Sequence, residues 1–319
     1  MSSLFRQTDD IFFFRHPELV DPDTGQRRLL TRAPDDRHLR QEWMVIYREL
    51  ERAENEGYEV CELNGSLQRC PISGSGENPE KLVSEKAMLR LHAAQEAINY
   101  SKEILSFGAG NQRDALETTQ FNSNYRLRAA RYNHFFNIPQ EVVDLAEKNQ
   151  EAFIAAKAEL TQGGNCGEHA YVVYDYLRRK FPDEHIQISQ KDGLDHAFVI
   201  IGDPSTDSDQ ELVVADSWPT DPTPVLWEDH FAYTSDKKKL LKKAESKGDS
   251  RNYKQEMIDA GLSLKEDALK FIEQSLDKEE TNKQVNDGLG KWIWEHSDSA
   301  ETKYDYISNS HSSFSRPSE

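Results

Sequence analysis

The sequence predicts an α+β protein in which a compact core packs one helix on a small antiparallel sheet, with a large helical part before it and a helical extension after it. Three observations predict this. Apolar residues recur at three- and four-residue spacing over 80–107, as on one face of a long helix. Gly163 and Gly164 turn the chain into a second such pattern, Ala170 to Leu177. Beyond it, short apolar runs bounded by turn residues read as strands.

Taken in order, residues 1–38 hold Pro17, Pro22, Gly25 and Pro34 among many charges and read as an irregular arm, with Phe12-Phe13-Phe14 expected to dock on the body. A mainly helical region is expected over 39–160. Its first helix is marked by Leu39, Trp43, Ile46, Tyr47 and Leu50, with Gly57 as C-cap, and 57–79 reads as a loop or small hairpin. The 80–107 helix ends at Gly108 and Gly110, and another is expected within 111–137, basic through Arg126, Arg128 and Arg131. That basic side reads as a solvated face pairing with acidic surface. Pro139 suits the first turn of a further helix running to about Leu160.

The core spans 161–233. Ile186-Gln187-Ile188-Ser189, the run opening with Asp195-His196-Ala197 and reaching Ile201, and the run from Leu212 closing with Asp216-Ser217-Trp218-Pro219 are its strand candidates, the last two separated by Gly202-Asp203-Pro204 and polar chain, as an antiparallel pair requires. Lys237-Lys238-Lys239 opens a charged helical extension assigned to 234–296, with Trp292-Ile293-Trp294 as anchors. The polar end, 297–319, is expected to be disordered.

Lysine and arginine total 39 against 57 aspartate and glutamate, a formal charge of −18. This excludes the basic footprint that nucleic acid or anionic lipid requires, and it suits a soluble surface or a basic protein partner. No run approaches the roughly 18 apolar residues of a membrane span. Ile11-Phe12-Phe13-Phe14, preceded by Asp9 and Asp10, is too short for the apolar part of a signal peptide. Cys61, Cys70 and Cys166 do not make a disulfide framework, and free thiols are the expectation. Without a CxxC pair or an HExxH helix, no metal site is expected, and no cofactor is called for.

The chemistry concentrates at Gly163-Gly164-Asn165-Cys166-Gly167-Glu168-His169, where a cysteine falls at a helix start. A thiol becomes a strong nucleophile when ionised, and a helix N-terminus with a cationic partner favours the thiolate. Orphan N–H groups of the first turn also face a developing oxyanion. Gly164 and Gly167 let a substrate backbone approach, and Asn165 suits the turn. His196 begins one strand and Asp216 lies at the far end of the next, so an antiparallel pair brings them together. The expected roles are Cys166 as nucleophile, His196 as base and Asp216 as the carboxylate that orients the base. His169 competes for the base on the same helix, Asp195 and Asp203 compete for the orienter, and Glu168 complements the helix dipole. Trp227 and His230 read as core or rim.

Gln162 with Gly164-Asn165-Cys166-Gly167, then Asp195-His196-Ala197, then Asp216-Ser217-Trp218 resemble the signature stretches of papain-like cysteine proteases. The aspartate in place of asparagine, and the spacings of 30 residues from Cys166 to His196 and 20 more to Asp216, resemble the compact transglutaminase-like branch. That branch includes bacterial toxins and secreted effectors that deamidate glutamine or cleave host proteins. The resemblance covers about 162–220. It implies a papain-like or transglutaminase-like core, a thioester intermediate, Gln162 as an oxyanion donor and Trp218 as a lid over His196 and Asp216. Gln162 lies nearer the cysteine than the papain glutamine does, and Pro219 stands where glycine usually follows Ser-Trp.

The expected function is therefore a cysteine hydrolase or acyl-transfer enzyme acting on amide groups of a protein substrate, such as a host protein. Glutamine deamidase, protease and transglutaminase are its variants. The expected location is the producing cell's cytoplasm or, after export without a cleavable signal, a host cytoplasm. Two alternatives stand beside it: a non-enzymatic interaction protein on the same scaffold, and a small-molecule acyltransferase using the same triad. The sequence leaves oligomeric state open.

Overall fold

The computed structural model describes residues 80–287 except 221 and 247, together with 304–308, 313–314, 59–63, 66–70 and residue 46. The irregular arm, the helix expected over 39–56 and Trp292-Ile293-Trp294 fall outside these residues, apart from Ile46, which is helical. The chain divides into two units, 1–79 with 315–319, and 80–314. Within the first, β1 (Glu59–Leu63) and β2 (Ser66–Cys70) form an antiparallel hairpin, with Cys61 opposite Gln68 and Cys70 opposite Glu59.

The second unit is α+β. It opens with β3 (Glu80–Val83) and α1 (Glu85–Ile104), so the first residues of the expected 80–107 helix are a strand instead. Ser84 marks the change, its side chain accepting a hydrogen bond from the Ala87 N–H. The helix expected within 111–137 is two, α2 (Arg113–Thr118) and α3 (Asn122–Arg131), because Gln120 and Phe121 between them take left-handed backbone. After the short β4 (Phe136–Asn137), the helix expected from Pro139 is also two, α4 (Gln140–Ala146) and α5 (Gln150–Thr161), broken where Asn149 leaves helical geometry.

The helix α6 (Cys166–Lys180) then runs to β5 (Ile186–Lys191), β6 (Ala197–Ile201), β7 (Val213–Ala215) and β8 (Val225–Leu226). The next strand, β9 (Leu240–Glu245), completes a five-stranded antiparallel sheet in the order β8-β7-β6-β5-β9. It corrects the expectation of a continuous helical extension from residue 234. Lysines at 242 and 243 suit a sheet edge, where one rim of the strand faces water, and only the pairing with β5 distinguishes that edge from a polar helix face. Helices follow as α7 (Tyr253–Asp259), α8 (Ala268–Ser275) and α9 (Lys278–Asp287), with β10 (Ser263–Leu264) pairing β4.

Within the tail expected to be disordered, residues 305–308 and 313–314 form strands instead. Strand β11 (Asp305–Ser308) lies parallel to β3, and β12 (Ser313–Phe314) pairs β11. Tyr306 is fully buried; its hydroxyl accepts from the Leu226 N–H at 3.2 Å and donates to Asp229 at 2.8 Å. A single large aromatic with both hydrogen-bonding needs met outweighs a polar composition.

Both faces of β6, β7 and β8 are covered, which explains their continuous apolar runs, whereas the edge strand β9 is largely exposed. On one face Ile186, Ile188, Val199, Ile201, Val213 and Ala215 pack against α1 and α6, where Ala170, Val173, Tyr174 and Leu177 form the inward stripe. On the other, Phe198, Ile200 and Val214 lie under Trp227, Phe231 and Ala232 from the chain that follows β8. A second core joins α3, α4, α5, α7 and α8. Among the described residues no helix is long and apolar enough to cross a membrane.

Candidate active site

Asn165 is the N-cap of α6 and Cys166 its first helical residue. Glu168 reaches back to accept from the Asn165 N–H at 2.8 Å, fixing the turn, and Arg131 approaches Glu168 at 3.3 Å. The other two arginines of the basic side are also tied to the scaffold, Arg126 to the Thr161 carbonyl and Arg128 to Asn124. Gln162 ends α5 in left-handed conformation, and its carbonyl accepts from the Phe107 N–H at 3.3 Å.

The two glycines beside the cysteine do different things. A Cβ on Gly164 would collide with the Cβ of Glu168, whereas one on Gly167 would meet nothing within 4 Å. Gly164 is therefore required by internal packing and Gly167 borders open space. Gly164→Ala is expected to destabilise the fold by about 1–3 kcal/mol. Gly167→Ala, on a helix, is expected to be neutral or to stabilise by up to about 1 kcal/mol. Urea midpoints check the pair, and the reverse order would refute this account of the turn.

His196 immediately precedes β6 and Asp216 immediately follows β7. The antiparallel register, Val199 opposite Ala215, brings them together, and His196 Nε2 lies 2.6 Å from Asp216 Oδ2. Both are buried, at 1% and 5% exposure, while Cys166 remains partly exposed. With Nε2 committed to Asp216, Nδ1 is the ring nitrogen left for the thiol. It is buried and makes no completed hydrogen bond, and Cys166 interacts with the ring closely enough to favour its protonation. Burial opposes a charged imidazole, but the charge and hydrogen bond of Asp216, reinforced by Cys166, push His196 up to about 10. Burial likewise opposes a charged Asp216, yet His196 and His230 hold its carboxyl well below the usual carboxylate range.

The competing residues go elsewhere. His169 is buried with its Nδ1 3.1 Å from Ser217 Oγ, which in turn meets Ser101 Oγ at 2.8 Å. Asp195 is exposed, and Asp203 bonds Ser205 in the turn after β6. Trp218 stands edge-on to the His196 ring, centroids 5.2 Å apart, with Phe231 also 5.2 Å from that ring. Cys166, Leu194 and Phe231 pack against the cluster of Trp218 and Ala109.

One site residue was missed by sequence reasoning. His230 Nε2 lies 3.4 Å from the same Asp216 Oδ2, and His230 Nδ1 accepts from the Ala232 N–H at 3.3 Å. An accepting Nδ1 puts the proton on Nε2, so neutral His230 donates to the carboxylate. Burial lowers its pKa and favours that neutral form. Asp216 thus accepts from two imidazoles through Oδ2 and from the Trp218 N–H through Oδ1 at 3.1 Å. No spacing pointed to His230, because it arrives by a 3₁₀ turn, Trp227–Asp229, that crosses the sheet face rather than by a strand end.

His196, Asp216 and His230 also place one ligand atom each within 4.8 Å of one another, as a metal site would. Two ligands on tetrahedral zinc at about 2.0 Å stand about 3.3 Å apart. The 2.6 Å separation here is instead that of atoms sharing a proton. The arrangement can therefore hold a protonated imidazole beside a partly exposed sulfur at a helix N-terminus. No protein-family model matches the chain, and searches of curated proteins and of solved structures returned no significant match.

Proposed function

We propose that the chain is a cysteine-dependent hydrolase or acyl-transfer enzyme that attacks amide carbonyls of a protein substrate through Cys166. The observation that carries this reading is the 2.6 Å His196–Asp216 bond, which leaves Nδ1 for a thiol at the first position of α6. In the reaction, sulfur attacks the carbonyl carbon and the C=O electrons move to oxygen. His196 then gives its proton to the leaving nitrogen as the C–N bond breaks, leaving a thioester on Cys166. Water attacks the thioester with His196 taking its proton, or an acceptor amine attacks instead. Ammonia as leaving group makes the reaction a glutamine deamidation, and a peptide amine makes it a proteolysis.

The resemblance to papain-like and transglutaminase-like enzymes supports a protein substrate, and its effector members support action in a host cytoplasm. The acidic surface, with formal charge −18, suits a basic protein partner. Two measurements test the proposal. Iodoacetamide is expected to label Cys166 at least ~100-fold faster than Cys61 or Cys70 at pH 6, where ordinary thiols are largely protonated, and His196→Ala to remove that advantage. Equal, slow labelling of all three thiols would sink the enzyme reading and favour an interaction protein. Intact masses of protein partners incubated with wild-type or Cys166→Ala chain then identify the variant: a gain of about one dalton for deamidation, fragments for proteolysis, a joined species for transamidation.

A further inference from the structure

Attack on a carbonyl places negative charge on oxygen, and neither His196 nor Asp216 is disposed to receive it. The Trp218 indole Nε1 donates to two amide oxygens at once, Asn165 Oδ1 at 2.9 Å and Asn111 Oδ1 at 3.0 Å. An indole nitrogen has one hydrogen and accepts nothing, so it selects the rotation of both amides: each oxygen must face the ring. Both NH2 groups are thereby turned from the indole, and neither has a hydrogen-bond partner among the described residues.

The indole is itself fixed. Trp218 is 1% exposed, its N–H donates to Asp216, its carbonyl accepts from Gln112 Nε2 at 2.7 Å, and its ring packs with Ala109 and Cys166. The segment carrying Asn111 is equally constrained. Ala109 forms a parallel bridge with Gly164, and the Gly110 N–H donates to the Gly164 carbonyl at 2.8 Å. Two residues beyond this bridge stand Asn111 on one segment and Cys166, the first residue of α6, on the other. Behind it, the Gly110 carbonyl accepts from Asn124 Nδ2 at 2.7 Å, and a Cβ at Gly110 would collide with Leu127 and the Ser123 carbonyl. A close backbone approach delivers Asn111 to the level of the nucleophile.

We propose that the side-chain NH2 of Asn111, delivered beside Cys166 by the Ala109–Gly164 bridge and oriented by the Trp218 indole, is an oxyanion donor, with the Asn165 NH2 as its companion. It takes the role that the family resemblance assigned to Gln162. The proposal rests on Cys166 being the nucleophile. It also gives Trp218 a second task, since one ring both flanks His196 and aims the donors.

Two reactions at the same sulfur separate donor from scaffold. Iodoacetamide is attacked at a saturated carbon, with no oxyanion. p-Nitrophenyl acetate is attacked at its carbonyl: the S–C bond forms through a tetrahedral oxyanion, the C–O bond breaks, p-nitrophenolate leaves, and the acetyl group stays on Cys166. Asn111→Ala is expected to slow the p-nitrophenolate burst about 10²–10³-fold while alkylation changes no more than about twofold. Asn111→Asp, which keeps the size and the indole bond but lacks the NH2, is expected to lose at least as much burst rate, so the result does not depend on alanine being tolerated. An unchanged burst in Asn111→Asp, or a parallel loss of burst and alkylation in both variants, would overturn the assignment. A wild-type chain with neither a burst nor selective alkylation at Cys166 would overturn the nucleophile itself.

Discussion

Asp216→Ala is expected to slow acylation of Cys166 by about 10³–10⁴-fold, the scale on which a triad loses turnover when its carboxylate no longer sets the imidazole tautomer. The same change is expected to cost about 3–5 kcal/mol of stability, since it strips the counter-charge from a buried protonated ring. Both effects have one cause. Asp216 accepts from His196, His230 and the Trp218 N–H, so its removal frees the His196 ring to rotate and releases the backbone of Trp218. Asp216→Asn separates charge from cavity, because it keeps the volume and one acceptor oxygen but removes the counter-charge as alanine does. It is expected to lose much of the same stability, less only the cavity's share, and to retain little of the acylation rate. Burst rates with p-nitrophenyl acetate and urea denaturation of wild type and both variants check the pair. Acylation within tenfold of wild type in Asp216→Ala would refute the orienting role.

The stability of the chain is expected to peak near pH 6.5 through the opposed titrations of two histidines on one carboxylate. His196, raised from 6.5 to about 10, keeps a proton in the folded state that the unfolded chain releases. Its contribution is complete below 6.5 and declines as pH rises toward about 10, at about 1.4 kcal/mol per pH unit. His230 is lowered from 6.5, so below that value the unfolded chain binds a proton that the folded state refuses, and stability falls as pH falls. Asp216, lowered from 3.8, adds a contribution present above 3.8 and lost progressively in stronger acid. Urea unfolding from pH 4 to 10 measures the profile. His196→Gln is expected to flatten the alkaline limb and His230→Gln the limb just below pH 6.5. An alkaline limb of the same slope in His196→Gln would refute a protonated His196.

How much of this could be read without the structure differs by residue. The helix start at Cys166 was legible because Gly164, Asn165 and Glu168 are local signals, each acting within a few residues of the turn. The meeting of His196 and Asp216 was legible because two apolar runs joined by a polar loop pair antiparallel, and pairing brings the end of one beside the start of the other. The extension after residue 234 was misread because strand β9 carries charge on an edge, where burial imposes no clean period. The breaks at Phe121 and Asn149 were missed because helical periodicity continues across them and only backbone conformation marks the interruption.

The sequence by itself determined the helix start at Cys166, the strands that carry His196 and Asp216, and their chain order, since capping, turn chemistry and hydrophobic period operate over a few neighbours. Only the tertiary structure decided which distant groups complete the site. His230 reaches Asp216 because Trp227 and Phe231 pack across a sheet face, and Asn111 meets Asn165 at the Trp218 indole because Ala109 bridges Gly164. Neither approach leaves a periodic trace in the chain. Each follows from the close packing of surfaces formed by residues tens of positions apart, to which nearest-neighbour rules are blind.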